Sequence, residues 1–147
     1  MTQRILVPID LSDFSQKVIS IAIAQAKLIP NSEIHLVHVT TLDIGIIVSE
    51  TGFSYIPELE ETAMREEAEQ LNNLKEMVEK ENIPCHIITK QGIPSDLIIE
   101  TAEEINADLI CIGSLGHNAL YKMFIGSVAS EVIKKSHVPL LVVPKGK

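Results

Sequence analysis

The chain has 147 residues, 46% of them apolar and 22% charged, which suits one globular domain over residues 1–147 that needs no staples. Its formal net charge of -8 argues against a nucleic-acid partner, whose phosphate backbone requires a basic surface. Aromatics are 3% with no Trp, so the core must be aliphatic.

The opening MTQRILVPID is too polar at its start, and too short in its apolar run, for a secretory signal. No stretch reaches the roughly 18 apolar residues of a membrane span. The expectation is a cytoplasmic protein with no membrane partner. Cys85 and Cys111 have neither metal-ligand nor disulfide-framework spacing, so both are expected reduced, with Cys111 buried in a strand.

In chain order, Arg4 to Ile9 is nearly continuous in apolar residues, as a strand covered on both faces requires. Asp10 ends it. Ser12 and Asp13 are placed to cap the next helix, and Asp13 with Gln16 has capping-box spacing. That helix is expected over Phe14 to Ile29, with Val18, Ala22, Gln25 and Ile29 on one face, and Pro30–Asn31 stop it. Glu33 to Val39 reads as the second strand. Thr40 to Pro57 has no clean period and is expected as an irregular crossover with some local order, the run IGIIV being a stray strand or loop. Glu58 to Lys80 repeats apolar residues at helical spacing through Met64, Ala68, Leu71 and Val78, with a wet glutamate face.

Pro84 to Lys90 is the third strand. Pro94 suits the first position of a helix reaching about Ile105. Asp108 to Ile112 is the fourth strand, and Gly113 to Ile125 a long loop with a helical turn near Ala119–Met123. Ser127 to Ser136 is the last helix, with Val128, Val132 and Ile133 inward, and Val138 to Val143 the last strand. Five strands alternating with four helices predict an open parallel α/β sheet with helices on both faces. Periodicity leaves the strand order open, a flavodoxin-like order included.

Ligands of such sheets bind beyond the carboxyl ends of the strands. Pro8-Ile9-Asp10, Val39-Thr40 and Gly113-Ser114-Leu115-Gly116 all follow strands on that rim. Glycines let backbone N–H groups approach a ligand, and the helix opening at Gly126–Ser127 offers unpaired donors to an anion. Read structurally, Gly113 and Gly116 make a turn and Ser127 a cap; read functionally, the group cradles phosphates. Asp10 likewise either braces the first helix or bonds a nucleoside. Neither a P-loop nor a G-x-G-x-x-G element is present. His35 and His38 are three apart on one strand and face opposite sides, while His86, His117 and His137 are scattered. No catalytic residue and no metal-ligating side chain is therefore expected.

The stretches VPIDLSDFS, GSLGHNALYKMFIGSVAS and VPLLVVPK together resemble the universal stress protein family. The middle one carries that family's ATP-binding pattern of glycine, two residues, glycine, nine residues, glycine and serine, at Gly113, Gly116, Gly126 and Ser127. The resemblance implies a Rossmann-like sheet of order 3-2-1-4-5 and a homodimer paired through Val138–Val143. It also implies ATP with Mg²⁺ or Mn²⁺ held mainly by the phosphates. Asp10 is then the residue near the adenosine, beside Pro8, and Val39 the one whose backbone reads adenine. Gly113, Gly116, Gly126 and Ser127 are the phosphate cradle, assisted by Ser114. Leu115 departs from the family, which often has Arg or His there; His117 and Lys122 are the nearby cations. The expected role is an ATP-holding sensor or regulator in stress response with at most slow hydrolysis. The alternatives are a dimeric interaction protein with a vestigial pocket, and a true ATPase or nucleotidyl transferase. A bulky residue at Gly113 or Gly126 is expected to weaken ATP binding with the fold intact.

Overall fold

In the computed structural model, which describes residues 2–40, 46–49, 52–55, 57–115 and 126–146, the apolar runs pair in parallel. Strands β1 (Gln3–Pro8) and β2 (Ser32–Thr40) flank helix α1 (Phe14–Leu28) in sequence. A short hairpin follows, β3 (Ile46–Ser49) and β4 (Gly52–Tyr55), then α2 (Pro57–Glu79), β5 (Cys85–Gln91) and α3 (Pro94–Glu104). The chain closes with β6 (Leu109–Gly113), α4 (Ser127–Lys135) and β7 (Leu140–Val143). The main sheet has the order β5-β2-β1-β6-β7. Counting its own five strands along the chain, this is the 3-2-1-4-5 order that the family resemblance implied.

Successive strand residues point to opposite faces, so each strand feeds two cores. Ile5, Val7, Ile34, Leu36 and Cys111 pack with α1 and α2, whereas Leu6, Val37, Ile110 and Ile112 pack with α3 and α4. Helix α1 buries Val18, Ile19, Ala22, Ile23 and Ala26, the i, i+4, i+8 stripe of a helix pressed on a sheet. It stops where Ile29 turns extended and Asn31 takes a left-handed φ of 64°. Helix α3 does begin at Pro94, whose missing N–H costs nothing there.

The local order expected within residues 40–57 is an antiparallel hairpin, in which β3 and β4 pair Ile46 with Tyr55. Other expectations are corrected. Ile29 is exposed, and Met64 is 58% exposed, because α2 meets the sheet chiefly through Leu71 and Val78. On α4 the inward residues are Ala129 and Val132, while Ile133 is 43% exposed, so the buried stripe is rotated from the expected one. The last strand begins at Leu140, two residues later than expected. The helical turn anticipated at 119–123 lies outside the described residues.

Strand β1 ends at Pro8, and its pairing with β6 stops earlier, at Leu6 with Ile110. The Ile9 N–H bonds the Val37 carbonyl of β2, and the Arg4 carbonyl bonds Asp108 beside β6. Donors therefore alternate between the two neighbours, and Pro8 stands where a donor would face β6 but has none.

Both cysteines are free and buried. Burial pushes the Cys85 thiol up to about 12, with the Glu79 charge adding to it, and burial alone pushes Cys111 up to about 12. The nucleophile is the thiolate, so neither is expected to react with Ellman's reagent at pH 8 in the folded protein. Both should react once denaturant is added; prompt labelling of the native chain would contradict the burial.

Candidate functional site

The strand order reverses at β1, which has β2 on one side and β6 on the other. The crevice expected at such a point is present as a cavity of about 630 Å³, within the range of small-molecule sites. Pro8, Asp10, Val39, Gly113, Gly126 and Ser127 all line it. Segments far apart in the chain thus line one cavity. Gly116 lies outside the described residues, as do His117 and Lys122.

Asp10 is committed through one oxygen. Its Oδ1 accepts from the Ser12 backbone N–H at 3.1 Å, the Ser12 hydroxyl at 2.6 Å and the Ser15 hydroxyl at 3.1 Å. These bonds fasten the start of α1. The capping box expected from Asp13 is absent, since Asp13 makes no side-chain cap bond; the carboxylate three residues earlier holds the serines instead. Between Asp10 and Ser12, Leu11 sits at a left-handed φ of 62°, a conformation that costs a side-chain-bearing residue about 1–2 kcal/mol. The three bonds on Asp10 hold that turn in place. None of them uses Oδ2.

The glycine end of the cavity differs from the expectation in one respect. The Ser114 N–H donates to the Val143 carbonyl at 2.8 Å, and the Gly126 N–H donates to the Ser114 carbonyl at 2.7 Å. Two amides expected to face a ligand are thus spent tying β6, β7 and α4 together. What remains is the first turn of α4. Gly126 is its N-cap and provides no side-chain cap bond, and Ser127, Val128 and Ala129 line the cavity. Their N–H groups have no carbonyl partner within the helix. Gly113 is not merely permissive either. A Cβ built there would stand 2.6 Å from Phe14 Cε1 and 3.3 Å from Val18 Cγ2, so the position must lack a side chain for α1 to pack. The expectation that a bulky residue at Gly113 spares the fold is therefore withdrawn.

Sequence reasoning missed two groups in the cavity. His38 is 7% exposed, and its Nδ1 lies 3.1 Å from the Ile9 carbonyl. A carbonyl only accepts, so Nδ1 carries a proton. The ring's Nε2 has no hydrogen-bond partner among the described residues and stands 3.6 Å from Glu67 Oε2. The ring edge and the carboxylate thus face each other at the cavity wall. The signal was the alternation that put His38 on the α2 side, but the partner on α2 is not deducible from local spacing. Leu115 is buried and adds an apolar wall.

The histidines are also less scattered than expected. The β2–β5 register sets His86 opposite His35, and their rings stack with centroids 4.7 Å apart. This pair lies at the other end of β2 from the cavity.

The profile of the universal stress protein family matches residues 1–144. The universal stress protein MJ0531 of Methanocaldococcus jannaschii is 34% identical over 147 residues, covering 99% of this chain and 84% of its own length. The universal stress protein YxiE of Bacillus subtilis is 32% identical over 148 residues, covering 97% of this chain and 99% of its own. Among solved structures, that of the M. jannaschii protein MJ0577 superposes with a TM-score of 0.80 at 32% identity, covering 96% of this chain and 94% of that one.

Proposed function

Because the chain belongs to the universal stress protein family, we propose that it is a stress-response sensor or regulator that holds ATP, with Mg²⁺ or Mn²⁺ on the phosphates. The observation that carries this reading is the uncapped first turn of α4 opening on the same cavity as Asp10 and Val39. The residues fit the ligand. The α4 amides from Ser127 to Ala129 and the Ser127 hydroxyl suit phosphate oxygens, which gain from the positive end of the helix dipole. Asp10 Oδ2 and the Glu67 carboxylate suit the hydroxyl and amine donors of a nucleoside. The Val39 backbone suits a base edge, and Ile98, Ile112 and Leu115 supply apolar wall. When bound, the nucleotide supplies the anionic phosphate chain on which the divalent cation rides. The chain's own part is to orient that anion and wall it on its apolar side; hydrolysis is expected to be slow at most. A homodimer through the edge strand β7, and a cytoplasmic site of action, belong to the same reading. An open edge carrying Leu140, Leu141 and Val142 favours a covering partner.

The test is equilibrium dialysis of ligand-stripped protein with labelled ATP and Mg²⁺. Saturable binding below millimolar nucleotide is expected, with little phosphate released over hours. Absence of saturation at millimolar ATP in folded protein overturns the reading. A second reading, a dimeric interaction protein with a vestigial pocket, is favoured by Leu115, an apolar side chain where the family often has a cation. It requires dimers and partner capture that ATP leaves unchanged.

A further inference from the structure

Glu33, His35 and His86 form a cluster at the amino end of the sheet, away from the nucleotide cavity. Glu33 and His35 are two apart on β2 and so share a face, and His86 of the edge strand β5 is the register partner of His35. Their ligand atoms all lie within 4.8 Å of one another. His35 Nε2 is 2.9 Å from Glu33 Oε1, and His86 Nε2 is 3.9 Å from Glu33 Oε2. Arg4 Nε donates to Oε1 at 3.2 Å, while its Nη1 reaches the Ile105 carbonyl at 3.4 Å. One carboxylate oxygen is thus oriented by Arg4 and His35, and the other faces His86.

We propose that Glu33, His35 and His86 form a binding site for a borderline-soft divalent ion of the zinc type. Two imidazoles and one carboxylate are a zinc donor set, whereas Mg²⁺ and Ca²⁺ prefer all-oxygen sites. Tetrahedral donors about 2.0–2.1 Å from zinc stand roughly 3.3 Å apart, so closure asks for about 1.5 Å of movement between donor atoms and a turn of one ring out of the His35–His86 stack. That movement falls to His86, whose side chain is 55% exposed. His35 is held in place by the sheet at 11% exposure. Zinc takes the lone pair of each Nε2, so each neutral ring carries its proton on Nδ1; His35 exchanges the Nε2–H tautomer that bonds Glu33 for the Nδ1–H tautomer, with no net loss of a proton. Arg4 keeps Glu33 oriented as an outer partner, while its charge tempers the affinity. Three protein ligands leave the fourth position to water. The occupied site clips the edge strand β5 to β2.

The experiment titrates nucleotide-free protein with Zn²⁺ against a chromophoric chelator, beside His86→Gln and His35→Gln. Zinc should be held by the wild type, and the affinity should fall on the order of tenfold or more in either variant. Zinc should also raise the wild-type melting temperature but not that of His86→Gln. The half-exposed His86 is the safer substitution, and melts of both metal-free proteins confirm that it folds. No zinc retention by the wild type, or equal retention by wild type and His86→Gln, overturns the proposal. ATP binding is expected unchanged in His86→Gln, so failure of one site is separable from failure of the other.

Discussion

Replacing Gly113 by alanine lowers the melting temperature by roughly 3–10 °C and weakens ATP binding on the order of tenfold. The added Cβ would lie 2.6 Å from Phe14 Cε1, closer than real contacts come, and a tight 3.2 Å from Phe14 Cδ1. Either the ring moves or β6 draws back from α1. Overpacking of this kind costs about 1–3 kcal/mol, and for a chain of 147 residues each kcal/mol corresponds to roughly 3 °C. Phe14 and Gly113 both line the cavity, so a displaced ring also intrudes on the ligand's space. Thermal melts and ATP titrations of the two proteins side by side are the check. A variant that melts with the wild type would show that Phe14 repacks freely. A variant that loses stability yet binds ATP as before would remove the glycine loop from the site.

Replacing Asp10 by alanine is expected to cost about 1–3 kcal/mol, and asparagine to restore most of it. Alanine removes the acceptor of three hydrogen bonds and strands the hydroxyl of Ser15, which is 4% exposed. Asparagine keeps an oxygen for those donors but no charge. The two substitutions therefore separate the jobs of the side chain. Melting follows the retained oxygen, so asparagine resembles the wild type. ATP affinity follows the carboxylate that meets the ligand, and both variants should lose roughly tenfold or more, the worth of a charge-assisted bond. If asparagine restores binding as fully as it restores stability, Asp10 only braces the turn.

These positions show what the chain discloses before it folds and what it withholds. The apolar runs around Ile5–Val7 and Ile110–Ile112, and the stripe from Val18 to Ala26, reveal their elements because burial on a sheet imposes a local period. The glycine and serine spacing from Gly113 to Ser127 placed one end of the cavity, and Asp10 the other. The hairpin of β3 and β4 was hidden because Gly45 and Gly52 interrupt a segment without alternation. His35 and His86 are 51 residues apart in the chain, and only strand register brings their rings together. The commitment of the Ser114 and Gly126 amides was equally invisible. Which carbonyl claims an N–H depends on how β7 and α4 dock, a long-range outcome with no local trace. Asp13 shows the reverse failure: the Asp13–Gln16 spacing was local and correct in form, but Asp10, the other brace that the sequence offered for the first helix, holds the serines.

Pro8 has a bearing on how the molecule meets its ligand. Hydrogen bonding between β1 and β6 stops at Leu6 with Ile110, and the proline offers nothing to extend it. The two central strands consequently part company without being pried open. A guest arriving at the gap finds it ready-made, and none of its binding energy goes into breaking rungs of the ladder. The readiness is written into the covalent chemistry of one imino acid, so it persists whether or not anything is bound.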